Sequence, residues 1–501
     1  MGAPENTNRL PKSKRYTTVV FDLGDVLFTW SSSTPKSPLP GKILHSILRS
    51  VHWFEYEKGN ISEDEAYSRV AKQFSVSAAD VKAAFEAARD SLQSNPRMLD
   101  LIKELRESGL AVYAMSNISA PDWEVLSTKA TPEQWALFDQ VFTSASARER
   151  KPNIGFYKHV VQETGLDPSC AIFVDDKLEN VVSARSLGFH GIVFDDENKV
   201  IQQLKNLCGD PVVRANRFLA SHKKRLNSNF AQLLILEATG DKSLVDYVAH
   251  PGQFNFFQHG GVLTTQEFPN DLDTTSIGLT VSDHIDTATK HKVMDEMLKY
   301  QNSDGIMQVY FDHSRPRIDP VVCVNVLTLF YSNGRGHELS RTLDWVEEVL
   351  RNRAYISGTY YYYSADQFLF FLSRLLSVSP ELRQRLGAAF RERILERFGV
   401  EADSLSLAAR IIGATVVGLV DERDLETLRS RQCENGSWED GWFYKYGATG
   451  ILIRNDGATT ALAMRAMQLV DELRQKQSQS TSKSSPYSSN LFSWAVSVLK
   501  F

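Results

Sequence analysis

Two groups of residues in this 501-residue chain are of types and spacings that could do chemistry. The first is Asp271-Leu272-Asp273-Thr274-Thr275, which follows the turn-forming Phe268-Pro269-Asn270. Paired acids with hydroxyls beside them let the environment of one carboxyl set the proton affinity of the other. A carboxylic acid kept neutral and dry in this way can protonate an alkene. The resulting carbocation needs exclusion of water and aromatic faces around it. Aromatics are dense in the same half of the chain: Phe254, Phe256, Phe257, Tyr310, Phe311, the run Tyr360 to Tyr363, Phe368, Phe370, Phe371, Trp438 and Trp442 to Tyr444. The competing reading of the acid motif is a helix N-cap, because Asp or Thr before a helix satisfies its first backbone N–H groups.

The second group lies upstream. Asp22 sits at the end of an apolar run, Ser116-Asn117 ends another, Lys151-Pro152 opens a helix, and Asp175-Asp176 ends a third run with Asn180 one helical turn later. An acid nucleophile, a hydroxyl, a lysine and an acidic pair are the parts that phosphoryl transfer through an aspartyl-phosphate needs. Asp22 would attack phosphorus, Ser116, Asn117 and Lys151 would hold the phosphoryl oxygens, and the acidic pair would hold Mg²⁺.

The elements that position these groups differ between the halves. Tyr16 to Leu27, Leu110 to Met115 and Ala171 to Val174 are strand-like runs, with helical periodicity between them at Met98 to Glu107 and Leu178 to Leu187. Strands alternating with helices predict an α/β domain whose parallel sheet gathers ligands at its C-terminal strand ends. Residues 31–105 carry helical patterning without a strong strand signal and predict a helical cap. From about residue 215 the chain is helical throughout, in runs such as Phe230 to Ala238, Val321 to Tyr331, Ala365 to Val378, Leu405 to Leu419 and Thr459 to Leu473. Gln301, Gly305 and Met307 have the same spacing as Gln432, Gly436 and Trp438, each ahead of a helical stretch. A turn recurring between helices predicts an all-α domain of the α/α-barrel type. The expected boundaries are a disordered 1–15, an α/β domain over 16–205, an α/α barrel over 215–473, and a Ser- and Gln-rich linker with an apolar last segment over 474–501.

Composition narrows the function classes. A net charge of -5, with 42% hydrophobic and 23% charged residues, is that of a globular protein without the basic excess of a nucleic-acid binder. Four scattered cysteines show no metal-ligand spacing and predict a reducing compartment. No apolar run nears the roughly 18 residues of a membrane span, so the expected address is the cytoplasm. The residues leave a homo-oligomer open.

The upstream set resembles the haloacid-dehalogenase (HAD) superfamily over roughly residues 16–200. The resemblance implies a Rossmannoid fold with Asp22 as nucleophile, Ser116 and Lys151 on phosphate, and Mg²⁺ on Asp22, the Gly24 backbone, Asp175, Asp176 and Asn180. Phosphatases of that superfamily carry a general acid two residues after the nucleophile, where this chain has Gly24. Asp25 is adjacent, but strand neighbours alternate in direction and its side chain should point elsewhere. The downstream set resembles class II terpene cyclases, whose acid motif is Asp-x-Asp-Thr-Thr in one branch and whose helical repeat has the Gln432 to Trp438 pattern. Both sets in this order resemble the drimane-type sesquiterpene synthases with fused phosphatase-like domains. That resemblance implies farnesyl diphosphate as substrate and Asp273 as proton donor tuned by Asp271, Thr274 and Thr275. It further implies a drimenyl or albicanyl diphosphate that the first domain converts to the alcohol. Two other readings stay open: a cyclase whose α/β half is only a scaffold, and a non-terpenoid phosphatase with a helical interaction domain.

Overall fold

The computed structural model describes residues 16–222, 228–248, 252–262, 264–265, 267–446 and 449–483. The expected disordered start (1–15) and apolar end of the chain lie outside these residues. The chain divides into two compact units, Met1–Gly209 and Asp210–Phe501.

The first unit is a five-stranded sheet in the order Gln140–Thr143, Ala111–Ser116, Thr18–Phe21, Ala171–Asp175, His190–Val193. Every pairing is parallel. The central strand is buried along its length because helices cover both faces, which explains why it reads as a continuous apolar run. The two edge strands are four residues each and carry little apolar signal, so sequence periodicity missed them. Four helices, Gly41–Leu48, Val51–Glu57, Glu63–Phe74 and Ala78–Asp90, form the cap around Trp53, Tyr67 and Phe85. The cap ends before the expected residue 105: Met98, Leu101, Ile102 and Leu105 on the helix Pro96–Glu107 pack into the sheet's core.

The second unit is an α/α barrel. Six helices, Asn229–Thr239, Leu272–Val281, Pro320–Ser332, Ala365–Val378, Ser404–Val416 and Asp456–Lys483, touch in that order and the last closes on the first. Burial is deepest on these inner helices; Val321 to Phe330 is buried without a break. Outer helices bury one stripe only, as Leu343, Val346, Val349 and Leu350 do on Ser340–Arg351. The two recurring motifs each follow an outer helix. Gln432 Nε2 donates to Pro211 O and Gly436 O, and Trp438, fully buried, donates to Leu428 O at 2.6 Å. Three boundaries differ from expectation. The α/β unit runs past residue 205 to Gly209; the barrel starts at the helix Pro211–His222, whose Val212, Ala215 and Phe218 join its core; and the last helix continues through the supposed linker to Lys483. Glutamine and lysine are good helix formers, and Arg474 on that helix is tied to Glu422 at 2.5 Å.

Arg410 is fully buried and is neutralised by Asp366 at 3.1 Å and Asp424 at 2.9 Å, joining three helices. Removing one partner of a buried pair leaves an uncompensated charge. Asp366→Ala should lower the unfolding free energy by about 3–5 kcal/mol; a denaturant midpoint matching wild type would contradict that role.

Candidate active sites

The motif Asp271 to Thr275 lies at the N-terminal end of the inner helix Leu272–Val281, and all five residues are buried. Its two aspartates do different things. Asp271 is the N-cap: Oδ1 accepts from Thr274 N at 2.6 Å and Oδ2 from Thr274 Oγ1 at 3.0 Å. Asp273 is free of capping, one step into the helix. Its Oδ1 accepts from Asn325 Nδ2 at 2.6 Å, and its Oδ2 accepts a short bond from the Tyr362 hydroxyl. Thr275 Oγ1 accepts from Phe254 N at 2.9 Å and so anchors the segment that carries Phe254, Phe256 and Phe257. The cap role therefore falls on Asp271, and Asp273, the expected acid, is left outside the cap.

Burial raises both carboxyls. Asp271 is pushed to about 8, with a further rise from the Asp273 charge; Asp273 reaches about 6, held back by the hydrogen bonds from Tyr362 and Asn325. Environments that push two acids apart assign their roles. Of the two, Asp273 is the one whose carboxylate form has two donors already in place, from Asn325 and Tyr362. Aromatic rings wall the site. Tyr362 packs edge-on against Phe371 at 5.3 Å and Tyr444 at 6.2 Å, Tyr444 meets Phe256 at 4.9 Å, and Tyr310 and Tyr361 share a hydroxyl bond of 2.8 Å. The void beside Tyr362, lined by Leu234, Phe370, Phe371 and Phe443, measures about 10 Å³. That is room for about one water.

The α/β unit assembles the other set at the C-terminal ends of its central strands. Lys151 Nζ sits 2.8 Å from Asp22 Oδ1 and 2.6 Å from Asp175 Oδ2, and all three are buried. Asp22, Asp175 and Asp176 each offer an oxygen within 4.8 Å of the others. Burial pushes Asp22 up to about 7; Lys151 pulls it back and Asp175 raises it further. Burial opposes the Lys151 charge, yet Asp175 and Asp22 outweigh it and raise its pKa. Asp22 and Asp175 face Lys151 while Asp176 is paired with Lys177, and clustered carboxylate oxygens are the donor set of a hard divalent cation. Ser116 ends its strand, buried. Asn117 was expected on phosphate, but its amide brackets the Lys151 backbone, giving to the carbonyl at 2.8 Å and taking the N–H at 2.7 Å. Asn180 gives its amide to Asp175 at 2.9 Å.

Gly24 lies in the turn that follows Asp22, where an added Cβ would meet no atom within 4 Å. The strand ends at Phe21, so Asp25 lies in the following turn rather than in the strand; it has φ 58°, its side chain bonds Trp30, and it feels Asp176 and Lys177. Sequence reading missed Asn325 altogether. Its signal was available: a lone amide in the apolar run Val321 to Phe330 has to be hydrogen-bonded.

Comparison with known proteins agrees with this division. Residues 16–188 match the model of the haloacid dehalogenase-like hydrolases, and residues 212–333 match the sesquiterpene cyclase astC-like C-terminal domain. A HAD-family enzyme of Bacteroides thetaiotaomicron is similar in structure, with TM-score 0.31 and 23% identity, covering 37% of this chain and 98% of that one. The sesquiterpene phosphatase astK of Aspergillus oryzae is 36% identical over 38% of this chain and 95% of its own. The drimenol cyclase drtB of Aspergillus calidoustus is 42% identical over 90% of this chain and 87% of its own. With both halves matched in order along nearly its whole length, the chain belongs to the drimane-type sesquiterpene synthases, class II terpene cyclases fused to a HAD-like hydrolase domain.

Proposed function

We propose that the chain cyclises farnesyl diphosphate by protonation from Asp273, giving a drimenyl or albicanyl diphosphate, and then releases the alcohol at the Asp22 site. The observation that carries this reading is Asp273 itself: a buried carboxyl inside an aromatic shell, with a donor waiting on each oxygen. Protonation moves the terminal alkene's π pair into a new C–H bond while the O–H pair stays on Asp273. The two internal alkenes close the rings, and loss of a proton ends the cascade. In the second reaction Asp22 attacks phosphorus, Lys151 and Ser116 hold the phosphoryl oxygens, and water later frees the aspartyl-phosphate. Mg²⁺ would be held by Asp22, Asp175 and Asp176, with the Gly24 carbonyl and Asn180 beside them, and would offset phosphoryl charge. No described helix is long and apolar enough to cross a membrane, and the four cysteines are free thiols.

Asp273→Asn should abolish cyclic product from farnesyl diphosphate and leave release of phosphate from a simple monophosphate intact. Asp22→Asn should do the converse and accumulate cyclic diphosphate. Product mass spectra check both, and an unchanged alcohol yield in either variant removes its residue from the mechanism.

The pH dependence follows from the protonation state in use. Asp273 acts protonated, and rising pH through its value of about 6 empties it. The kcat/KM for cyclisation should be flat below about pH 6 and fall about tenfold per unit above it. A rate that climbs between about pH 7 and 9 would mean another donor.

Position 24 carries no acid, which orders the dephosphorylation. Attack on the terminal phosphorus expels a phosphate monoester whose second pKa is about 6, and needs no proton donor. Attack on the monophosphate expels an alkoxide, the base of an alcohol about as weakly acidic as water, about 15.7. A cyclic monophosphate should therefore build up transiently, with its hydrolysis about 10²-fold slower, and Gly24→Asp should speed that step. Alcohol formed with no monophosphate on the way would refute the order.

A further inference from the structure

Behind Asp273 runs a chain of hydrogen bonds, buried at the aspartate and opening toward the surface, that cyclisation, as derived above, does not require. Asn325 gives its amide N–H to Asp273 Oδ1 at 2.6 Å and takes a bond on its own Oδ1 from Arg374 Nη1 at 2.5 Å. Arg374 is clamped in turn by Glu237, which accepts from Nε at 2.9 Å and from Nη2 at 2.7 Å. The arginine side chain is 10% exposed and reaches a pocket of about 490 Å³ lined also by Thr328, Phe370, Ile412 and Leu462.

A guanidinium can only donate. The oxygen of the Asn325 amide must then face Arg374, and its NH₂ must face Asp273, with no alternative flip. A carboxyl oxygen that already receives an N–H from Asn325 cannot carry its own proton in that direction. The transferable proton is thereby restricted to Oδ2. There the partner is Tyr362, whose hydroxyl can accept from the acid and then turn to donate to the carboxylate.

We infer that Arg374 is a positioning residue for cyclisation: through Asn325 it fixes which oxygen of Asp273 holds the proton that the alkene takes. Without it the amide can turn and accept a proton from Oδ1, parking it away from the substrate. This rests on Asp273 being the proton donor. The groups facing Asp273 from all sides are Asp271, Asp319, Cys323, Tyr362, Tyr444 and Arg374, and Arg374 is the one cation among them.

The experiment is steady-state cyclisation of farnesyl diphosphate by full-length wild type, Arg374→Met, Arg374→Lys and Glu237→Gln. Arg374→Met should lose about 10²-fold in kcat with KM nearly unchanged, and the alkaline limb of its pH profile should move upward. Arg374→Lys, which still can only donate, should recover most of the rate; Glu237→Gln, which loosens the clamp, should fall between. A folding defect scales the rate by the active fraction and leaves the limb in place, so the limb separates the two. Wild-type kcat in Arg374→Met, or a lowered kcat with an unmoved limb in both Arg374→Met and Glu237→Gln, overturns the inference. Absence of cyclic product from wild type would instead sink the reading it rests on.

Discussion

A carboxylic acid can protonate an alkene only if it is dry and neutral beforehand and stabilised as an anion immediately afterwards. Those demands conflict, because burial that keeps the acid neutral also penalises the carboxylate it must become. With Asp273 as the proposed acid, the barrel answers the conflict by placing donors in advance of the charge. Tyr362 and Asn325 are already hydrogen-bonded to its two oxygens, and neither has to travel when the proton leaves. The aromatic shell supplies the dryness and then serves the carbocation, so one set of rings answers both needs.

Much of the rest of the barrel follows from holding those two donors still. Tyr362 belongs to the segment between Ser340–Arg351 and Ala365–Val378, and Asp319 fixes that segment by accepting from Tyr361 N at 3.3 Å while capping its own helix through Val321 N at 2.9 Å. Burial raises Asp319 as well, and its charge is among the influences that raise Asp273. Asn325 sits on the rigid apolar helix Pro320–Ser332 and cannot drift. Thr274 and Thr275, which the motif suggested as direct tuners of Asp273, act a step away: one completes the Asp271 cap, the other ties down the strand-like segment bearing Phe254. The helix cap is thus part of the catalytic geometry, since it fixes the turn from which Asp273 projects.

What could be read from the sequence was the chemistry that lies in short local patterns. The order of Asp22, Ser116, Lys151 and Asp175-Asp176 along alternating strands and helices was enough to bring them together, because parallel sheets collect strand ends on one edge. The barrel was legible through its helical runs and the two Gln-x-x-x-Gly turns. Long-range partners were not. Nothing in the motif Asp271 to Thr275 points to Asn325 or Tyr362, which are 52 and 89 residues from Asp273 in the chain. Domain edges differed for a related reason: a helix such as Met98 to Glu107 looks alike in sequence whether it covers a cap or a sheet, and only packing decides.

The chain holds buried acid groups in two electrostatic regimes, and the contrast explains why it uses two sites. Around Asp22 the protein gathers full charges: Asp22 and Asp175 face Lys151, and Asp176 is paired with Lys177. Around Asp273 hydrogen-bond donors do more of that work. The nearby acids are raised toward neutrality, the one cation, Arg374, is shared with Glu237, and hydrogen-bond donors replace full charges. A cation strong enough to bind phosphate there would hold Asp273 as the anion and end its use as an acid. A field like that at Asp273 would leave the dianionic phosphate without counter-charge at Asp22. Proton donation to a hydrocarbon and nucleophilic attack on phosphorus therefore cannot share one set of carboxylates, and joining two folds in one chain gives each acid the surroundings its reaction needs.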